Sequence, residues 1–325
     1  MTAETILEIK NLKTYFFTEY GRIPAVDGVD LSFKKGEILG LVGESGCGKS
    51  VLALSILGLV PSPPGKIVAG EVNFFGENLL SLSEKDLRKI RGNRISMIFQ
   101  EPMTSLNPVF TIGNQIIESL VLHKGLRKKE AFEKSVELLD QVGMPGPKEI
   151  MKSYPHQLSG GMLQRAMIAM AISCTPSLLI ADEPTTALDV SIQSQILDLL
   201  LKLKEALNMS IILITHDLGV VSEMADRVAV MYTGKIQEFA KVTDIFNNPL
   251  HPYTIGLLNS LPQFNTSGKL NTIEGNVPDF LDIPLGCKFN PRCPVVLPPC
   301  KEKEPDLIDV SKNHLVRCYN YKSYL

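Results

Sequence analysis

The stretch Gly43-Glu44-Ser45-Gly46-Cys47-Gly48-Lys49-Ser50 constrains this chain more than any other. It directly follows the apolar run Ile38-Leu39-Gly40-Leu41-Val42 and precedes an apolar-rich segment, 51–59. Strand, glycine-rich loop and helix in that order make a cradle for phosphate. Glycines at 43, 46 and 48 let consecutive backbone N–H groups turn inward, and the positive end of the following helix faces the same point. Lys49 adds a full charge for terminal phosphates, and the Ser50 hydroxyl can ligate magnesium. The competing reading is a glycine-rich turn without a ligand, which the flanking strand and helix argue against.

At 325 residues the chain can form one large or two modest domains with a full core. Its net charge is -2, from 33 basic and 35 acidic residues, so its overall field does not call for a nucleic acid partner. The longest apolar runs, such as 178–181 and 211–214, fall far below the roughly 18 residues a bilayer demands, so no membrane span is expected. Met1-Thr2-Ala3-Glu4-Thr5 has neither a basic n-region nor an apolar h-region, which places the chain in the cytoplasm, where disulfides are rare.

Residues 6–12 and 25–33 read as strands, followed by the turn Lys34-Lys35-Gly36-Glu37. Residues 70–76 read as another, and Ser83-Glu84-Lys85-Asp86 has the form of a helix start. A short apolar run, 95–99, ends at Gln100. From 101 to about 176 the pattern is helical, clearest at 112–123 and 128–142. Strands return at 178–181, 210–215 and 227–231, with a helix at 191–207. Strands alternating with helices predict an α/β core with a mostly parallel sheet, interrupted by a helical insertion. Beyond 247 the prolines multiply, leaving little room for long elements, so 1–247 and 248–325 are expected to be a core domain and a small appended one.

Leu178-Leu179-Ile180-Ala181-Asp182-Glu183 is an apolar strand ending in two carboxylates. In a nucleoside triphosphatase the first serves the magnesium shell and the second polarises the attacking water. Alone, such a strand end is more often merely solvated; beside a phosphate loop the balance reverses. Leu158-Ser159-Gly160-Gly161-Met162 opens a helical segment, 163–173, and can be read as a serine cap or as a second anion site. One triphosphate has little use for both sites, so two copies facing each other would account for the second.

Taken in order, the phosphate loop, Gln100, Leu-Ser-Gly-Gly-Met, Asp182-Glu183, Ala187-Leu188-Asp189 and His216 after Ile212-Leu213-Ile214-Thr215 resemble the ATP-binding subunits of ABC transporters over residues 4 to about 245. The resemblance implies a P-loop NTPase fold with a RecA-like core, and head-to-tail pairs with each ATP between one loop and the partner's signature. By position it implies that Gly43, Glu44, Ser45, Gly46, Cys47, Gly48, Lys49, Ser50 and Val51 bind the nucleotide. Ser50, Gln100 and Asp182 would serve magnesium, Glu183 would activate water, and His216 would contact the γ-phosphate. Ser159, Gly160 and Gly161 would act across the dimer, with Asp189 in the dimer loop. Phe16, with Tyr15 next, would stack on adenine. Met162 stands where glutamine is commoner in the family, a departure that leaves the binding groups intact. Singly, His216 reads equally as a strand-end histidine, Gln100 as a surface amide and Asp189 as a helix-start acid.

Glu101-Pro102-Met103-Thr104-Ser105-Leu106-Asn107-Pro108, Asn248-Pro249-Leu250-His251-Pro252-Tyr253-Thr254 and the tail around Gly286-Cys287-Lys288-Phe289-Asn290-Pro291-Arg292-Cys293-Pro294 extend the resemblance to dipeptide and oligopeptide importers. Partners implied are a second ATPase subunit, identical or similar, two membrane-spanning permease subunits and, indirectly, an extracytoplasmic peptide-binding protein. The chain would then sit peripherally on the cytoplasmic face of the membrane. Nickel importers share the branch but are typically shorter at this end. Soluble ABC ATPases of other function carry coiled-coil inserts or a second cassette, neither of which is present.

Six cysteines stand at 47, 174, 287, 293, 300 and 318. Cys47 and Cys174 read as structural. In a reducing compartment Cys287, Cys293, Cys300 and Cys318 suit zinc or an iron-sulfur cluster better than two disulfides. Their spacing lacks paired C-x-x-C knuckles, and the resemblance points to a [4Fe-4S] cluster, with Zn2+ the alternative and four buried free thiols the plainest reading. A redox role for such a cluster stays open beside a structural one.

Overall fold

The computed structural model describes residues 4–186, 188–261, 272–311 and 313–324, so Ala187 of the dimer-loop motif lies outside it. The chain divides into two compact units, Met1–Ser81 with Leu213–Leu325, and Leu82–Ile212. The boundary falls inside the strand Ser210–Ile214, every residue of which is buried.

The first unit begins with an antiparallel sheet. Strands Thr5–Thr18 and Gly21–Lys34 are joined by a two-residue turn, a link too short for anything but an antiparallel pair. Gly65–Phe74 adds to the free edge of the first strand, and Glu77–Asn78 follows. The expectation of a mostly parallel sheet therefore needs this antiparallel addition. Its register shifts near Ile9 and Leu12 mark bulges that keep Leu7, Ile9, Leu12 and Val72 buried.

Ile38–Val42, buried at every position, runs parallel to Arg227–Tyr232, with Gly40 opposite Val228 and Val42 opposite Val230. An unbroken apolar strand of this kind belongs in a sheet covered on both faces. Its chain end at Val42 delivers the glycine-rich loop directly into the helix Lys49–Ile56. Arg227–Tyr232 pairs antiparallel with Lys235–Lys241, and Leu315–Val316 of the C-terminal region adds beyond it. Sequence periodicity leaves 235–241 unassigned, because five successive buried residues include Gln237 and Glu238 and show no alternation.

Glu238 is wholly buried and is satisfied rather than exposed. Its carboxylate accepts from the Leu250 amide at 2.7 Å and the His251 amide at 3.0 Å, and lies 2.7 Å from His314 Nε2. One buried acid thus ties together the strand Lys235–Lys241, the chain entering the helix Pro252–Asn259, and the C-terminal region.

In the second unit, Ser83 caps the helix Glu84–Ile90 by accepting from the Asp86 amide at 3.2 Å, as the Ser-x-x-Asp pattern predicts. Ile95–Ile98 pairs in parallel with Leu178–Asp182. Between these strands come the helices Ile112–Lys124, Lys128–Gln141 and Gly160–Ile172, which pack on one another and bury Ile116, Leu120, Leu139, Ala166 and Met167. Thr111 caps the first of these helices and left-handed Gly125 ends it. Val190–Leu207 follows the second strand and ends at left-handed Asn208.

Replacing Glu238 by Leu strands two buried amides and an imidazole, and is expected to destabilise the protein by about 3 kcal/mol. Urea denaturation of the full chain checks this, and an unchanged midpoint contradicts the bridging role.

Candidate nucleotide site

In the first unit the phosphate loop is shaped by two glycines that no other residue could replace. Gly43 has φ 152° and Gly48 φ 106°. A Cβ on Gly43 would overlap the Met231 carbonyl oxygen, and one on Gly48 the Ala25 carbonyl oxygen. The loop lies too close to two neighbouring strands for any side chain there. Its closure is completed by Gly234 N–H, which donates to the Cys47 carbonyl at 2.8 Å. Cys47 is fully buried, which accords with a structural role. Ser45 and Gly46 are exposed, and Ser50 and Val51 are half-buried at the first turn of the helix.

Lys49 is only 5% exposed. Its ammonium donates to the carbonyls of Gly43 at 2.8 Å and Glu44 at 2.9 Å, so the loop curls round its own cation. Glu44 is committed differently from its neighbours: its amide donates to the Tyr253 hydroxyl at 2.8 Å, and its carboxylate receives Arg292 at 2.6 and 3.0 Å.

Two aromatics precede the loop in the same unit. Tyr15 donates its hydroxyl to Asp27 at 2.7 Å, and the Arg22 guanidinium sits 5.0 Å from its ring. Burial and then that bond push the Tyr15 phenol up to about 12. Phe16 is half-buried, opposite Ile23 on one neighbouring strand and Gly65 on the other. His216 follows the strand Ser210–Ile214 and is exposed.

In the second unit the carboxylates and the amide meet because of strand register. Ile98 stands opposite Ala181 in a parallel pair, so two residues further on Gln100 comes abreast of Glu183. Gln100 Nε2 donates to Glu183 Oε2 at 3.0 Å, and the Thr186 hydroxyl donates to the same oxygen at 2.8 Å. Glu183 adopts φ 47°, a left-handed conformation that costs an ordinary residue of order 1 kcal/mol and marks functional turns. Asp182, at the strand end, is 3% exposed. A buried carboxylate and an amide oxygen are hard oxygen donors of the kind magnesium takes.

Ser159 caps Gly160–Ile172, its hydroxyl accepting from the Met162 amide at 3.4 Å. Ser159 and Gly160 are exposed, so this helix start presents bare backbone to solvent. Asp189 occupies the cap position of Val190–Leu207 and its side chain makes no capping bond.

In the C-terminal region Cys287, Cys293, Cys300 and Cys318 all line one small cavity, together with His251 and Phe289. Burial pushes the Cys287 thiol up to about 11 and Cys318 up to about 12, with neighbouring thiols adding to the effect. Among the described residues no three cysteines, histidines or carboxylates converge tightly enough to hold a bare metal ion. His251 is buried and its pKa falls to about 4, chiefly through burial, so the ring is neutral. Its Nδ1 accepts from the Tyr253 amide at 3.0 Å, which leaves the proton on Nε2.

Sequence reasoning finds the loop, the carboxylates and the four thiols, but gives His251, Tyr253 and Arg292 no role beyond membership of motifs. Their contacts reach across long stretches of chain: Arg292 and Glu44 are 248 residues apart.

Known proteins are similar to this chain over almost its whole length. The ABC transporter family model matches residues 26–186, and the model for the C-terminal region of oligopeptide/dipeptide transporters matches 237–300. The chain is 57% identical over 319 residues to the oligopeptide transport ATP-binding protein AppD of Bacillus subtilis, covering 98% of this chain and 97% of that one. It is 49% identical over 318 residues to OppD of Salmonella typhimurium, covering 98% and 94%. Among solved structures, a dimeric post-hydrolysis ATP-binding cassette, MJ0796 bound to ADP and Pi, superposes with a TM-score of 0.66 at 29% identity, over 73% of this chain and 99% of that one. The chain belongs to the ATP-binding subunits of ABC transporters, in their oligopeptide/dipeptide branch. No helix among the described residues is long and apolar enough to cross a membrane.

Gly48→Ala is expected to abolish retention of Mg-ATP while leaving far-UV circular dichroism unchanged, because the added carbon displaces the loop and not the sheet. Wild-type nucleotide affinity in that variant contradicts the packing described for the loop.

Proposed function

We propose that this chain hydrolyses ATP to power the import of di- or oligopeptides, working as one of a pair of ATPase subunits at the cytoplasmic face of a membrane permease. The observation that carries the reading is the loop itself, folded against Ala25 and Met231 with Lys49 and Ser50 at the start of its helix, in a chain 57% identical to an oligopeptide transport ATP-binding protein over 98% of its length.

In this reading the amides of residues 45–51 and the Lys49 ammonium bind the β- and γ-phosphates. Ser50, Gln100 and Asp182 are the oxygen donors proposed for magnesium, which neutralises charge on the transferring phosphoryl group. Glu183 takes a proton from the attacking water, its carboxylate already oriented by Gln100 and Thr186. His216 contacts the γ-phosphate. Phe16 is the proposed platform for adenine, since the Tyr15 hydroxyl is tied to Asp27 and one face of its ring carries Arg22. Ser159, Gly160 and Gly161 close over the partner's nucleotide, with Asp189 beside the dimer loop. The helical segment 101–176, entered just after Gln100, is the surface proposed to meet the permease, and closure of the pair supplies the mechanical step. The cargo itself is chosen by the permease and an extracytoplasmic binding protein.

The C-terminal cavity completes the proposal. Four thiols and no carboxylate are a donor set for soft metal. Of the soft-metal centres four thiols can hold, a [4Fe-4S] cluster is the one proposed for this cavity, with a single Zn2+ the alternative. Because burial pushes the Cys287 and Cys318 thiols up, loading must release protons and strengthen as pH rises.

Glu183→Gln is expected to keep Mg-ATP binding and lower turnover by about 10²- to 10³-fold; full turnover refutes the role given to Glu183. Anaerobically purified protein is expected to be brown, with absorption near about 400 nm that Cys287→Ser removes. A colourless protein holding one zinc per chain overturns the cluster assignment and leaves the ATPase reading untouched.

A further inference from the structure

The second residue of the phosphate loop is held by two groups from the far end of the chain. Glu44 donates its amide to the Tyr253 hydroxyl at 2.8 Å, and its two carboxylate oxygens receive Arg292 Nη1 at 2.6 Å and Nη2 at 3.0 Å. A fork-on-fork pair of this kind fixes orientation as well as distance. Most surface ion pairs contribute little because both side chains must be ordered to form them. This one differs, since the Arg292 side chain is only 4% exposed and is already fixed by its surroundings.

A guanidinium has five N–H donors, and here each group is occupied. Nε donates to the Glu274 carbonyl at 3.1 Å, Nη1 also reaches the Tyr232 hydroxyl at 3.4 Å, and Nη2 also reaches the Ile273 carbonyl at 3.4 Å. The remaining two N–H groups are those on Glu44. The guanidinium carbon lies 5.9 Å from the ring centres of both Tyr232 and Phe289. Tyr253 is fully buried and 4.6 Å centre to centre from Tyr232. Neither residue needs ordering when it grips the loop.

We propose that Arg292, acting through Glu44 and seconded by Tyr253, is a positioning residue of the nucleotide site that holds the phosphate loop in its binding geometry. Arg292 does not touch the reacting atoms. It fixes Glu44 by its carboxylate, between Gly43, which is forced by its close approach to Met231, and the exposed turn Ser45-Gly46, whereas the Lys49 ammonium holds Glu44 only by its carbonyl. Arg292 ends the short turn Asn290–Arg292 and directly precedes Cys293, so the C-terminal region braces the loop. The proposal rests on the ATPase reading of the loop, whereas it does not depend on what the cysteines bind.

The test uses the full chain assembled with its membrane subunits, with KM and kcat for Mg-ATP, nucleotide affinity by calorimetry, and thermal melting measured for each variant. Arg292→Met is expected to raise KM and Kd for Mg-ATP by about tenfold with kcat within about twofold, the pattern of lost ground-state positioning. Arg292→Lys recovers part of that loss. In a Glu44→Gln background, Arg292→Met adds less than about a twofold change, because the two act as one unit. Wild-type KM in Arg292→Met, or an undiminished tenfold effect in the Glu44→Gln background, overturns the proposal. If Arg292→Met does not fold, Glu44→Ala decides: the loop residue is partly exposed, and a folded variant with wild-type KM and Kd is fatal to the brace, while a tenfold rise supports it. Lys49→Ala separates the two levels of argument. Loss of ATP by Lys49→Ala with no change in Arg292→Met removes only the brace, whereas wild-type ATP affinity in Lys49→Ala removes the nucleotide site itself.

Discussion

The structure turns on a steric constraint. Gly43 and Gly48 carry the loop so close to the backbone of the neighbouring strands that a single methyl group at either point would collide with a carbonyl oxygen. That contact shapes the turn between Val42 and Lys49, which delivers the chain to the head of the helix Lys49–Ile56. Lys49 is buried there by the same geometry, its ammonium ringed by the carbonyls of Gly43 and Glu44. In the proposed reading, phosphate binding is therefore a property of main-chain packing, with one cation added.

The second unit reaches its chemistry by register. A parallel pair in which Ile98 faces Ala181 places Gln100 and Glu183 side by side beyond the strand ends, and the left-handed turn at Glu183 presents its carboxylate to Gln100 and Thr186. No long side chain has to search for its partner. In the first unit the C-terminal region does similar work at larger sequence separation. Glu238 gathers the chain on either side of His251, and the helix that begins there carries Tyr253 to the phosphate loop.

Much of this was legible in the sequence because the informative signals are short. The phosphate loop, the strand ending in Asp182-Glu183 and the Ser159 cap are each contained within a few residues, so each is announced by a short run of the sequence. The strands of the antiparallel sheet were legible at 6–12, 25–33 and 70–76, but their full length and their pairing were not, since bulges near Ile9 and Leu12 break the alternation along the first. Lys235–Lys241 was hidden because Gln237 and Glu238 are buried by partners far away in sequence. The gathering of Cys287, Cys293, Cys300 and Cys318 around one cavity could be anticipated from their number, while the shape of that cavity could not. The Arg292–Glu44 pair spans 248 residues, and no local pattern reports such a contact.

The central claim is that nucleotide bound in this loop drives movement of peptide. The most direct measurement reconstitutes the chain with its permease and binding protein in vesicles, and follows peptide uptake and phosphate release together as Mg-ATP is varied. The account predicts that uptake begins only with ATP, saturates with the same half-maximal concentration as hydrolysis, and stops when magnesium is chelated. Peptide that accumulates at full rate without ATP consumption, or steady hydrolysis that never moves peptide, contradicts it.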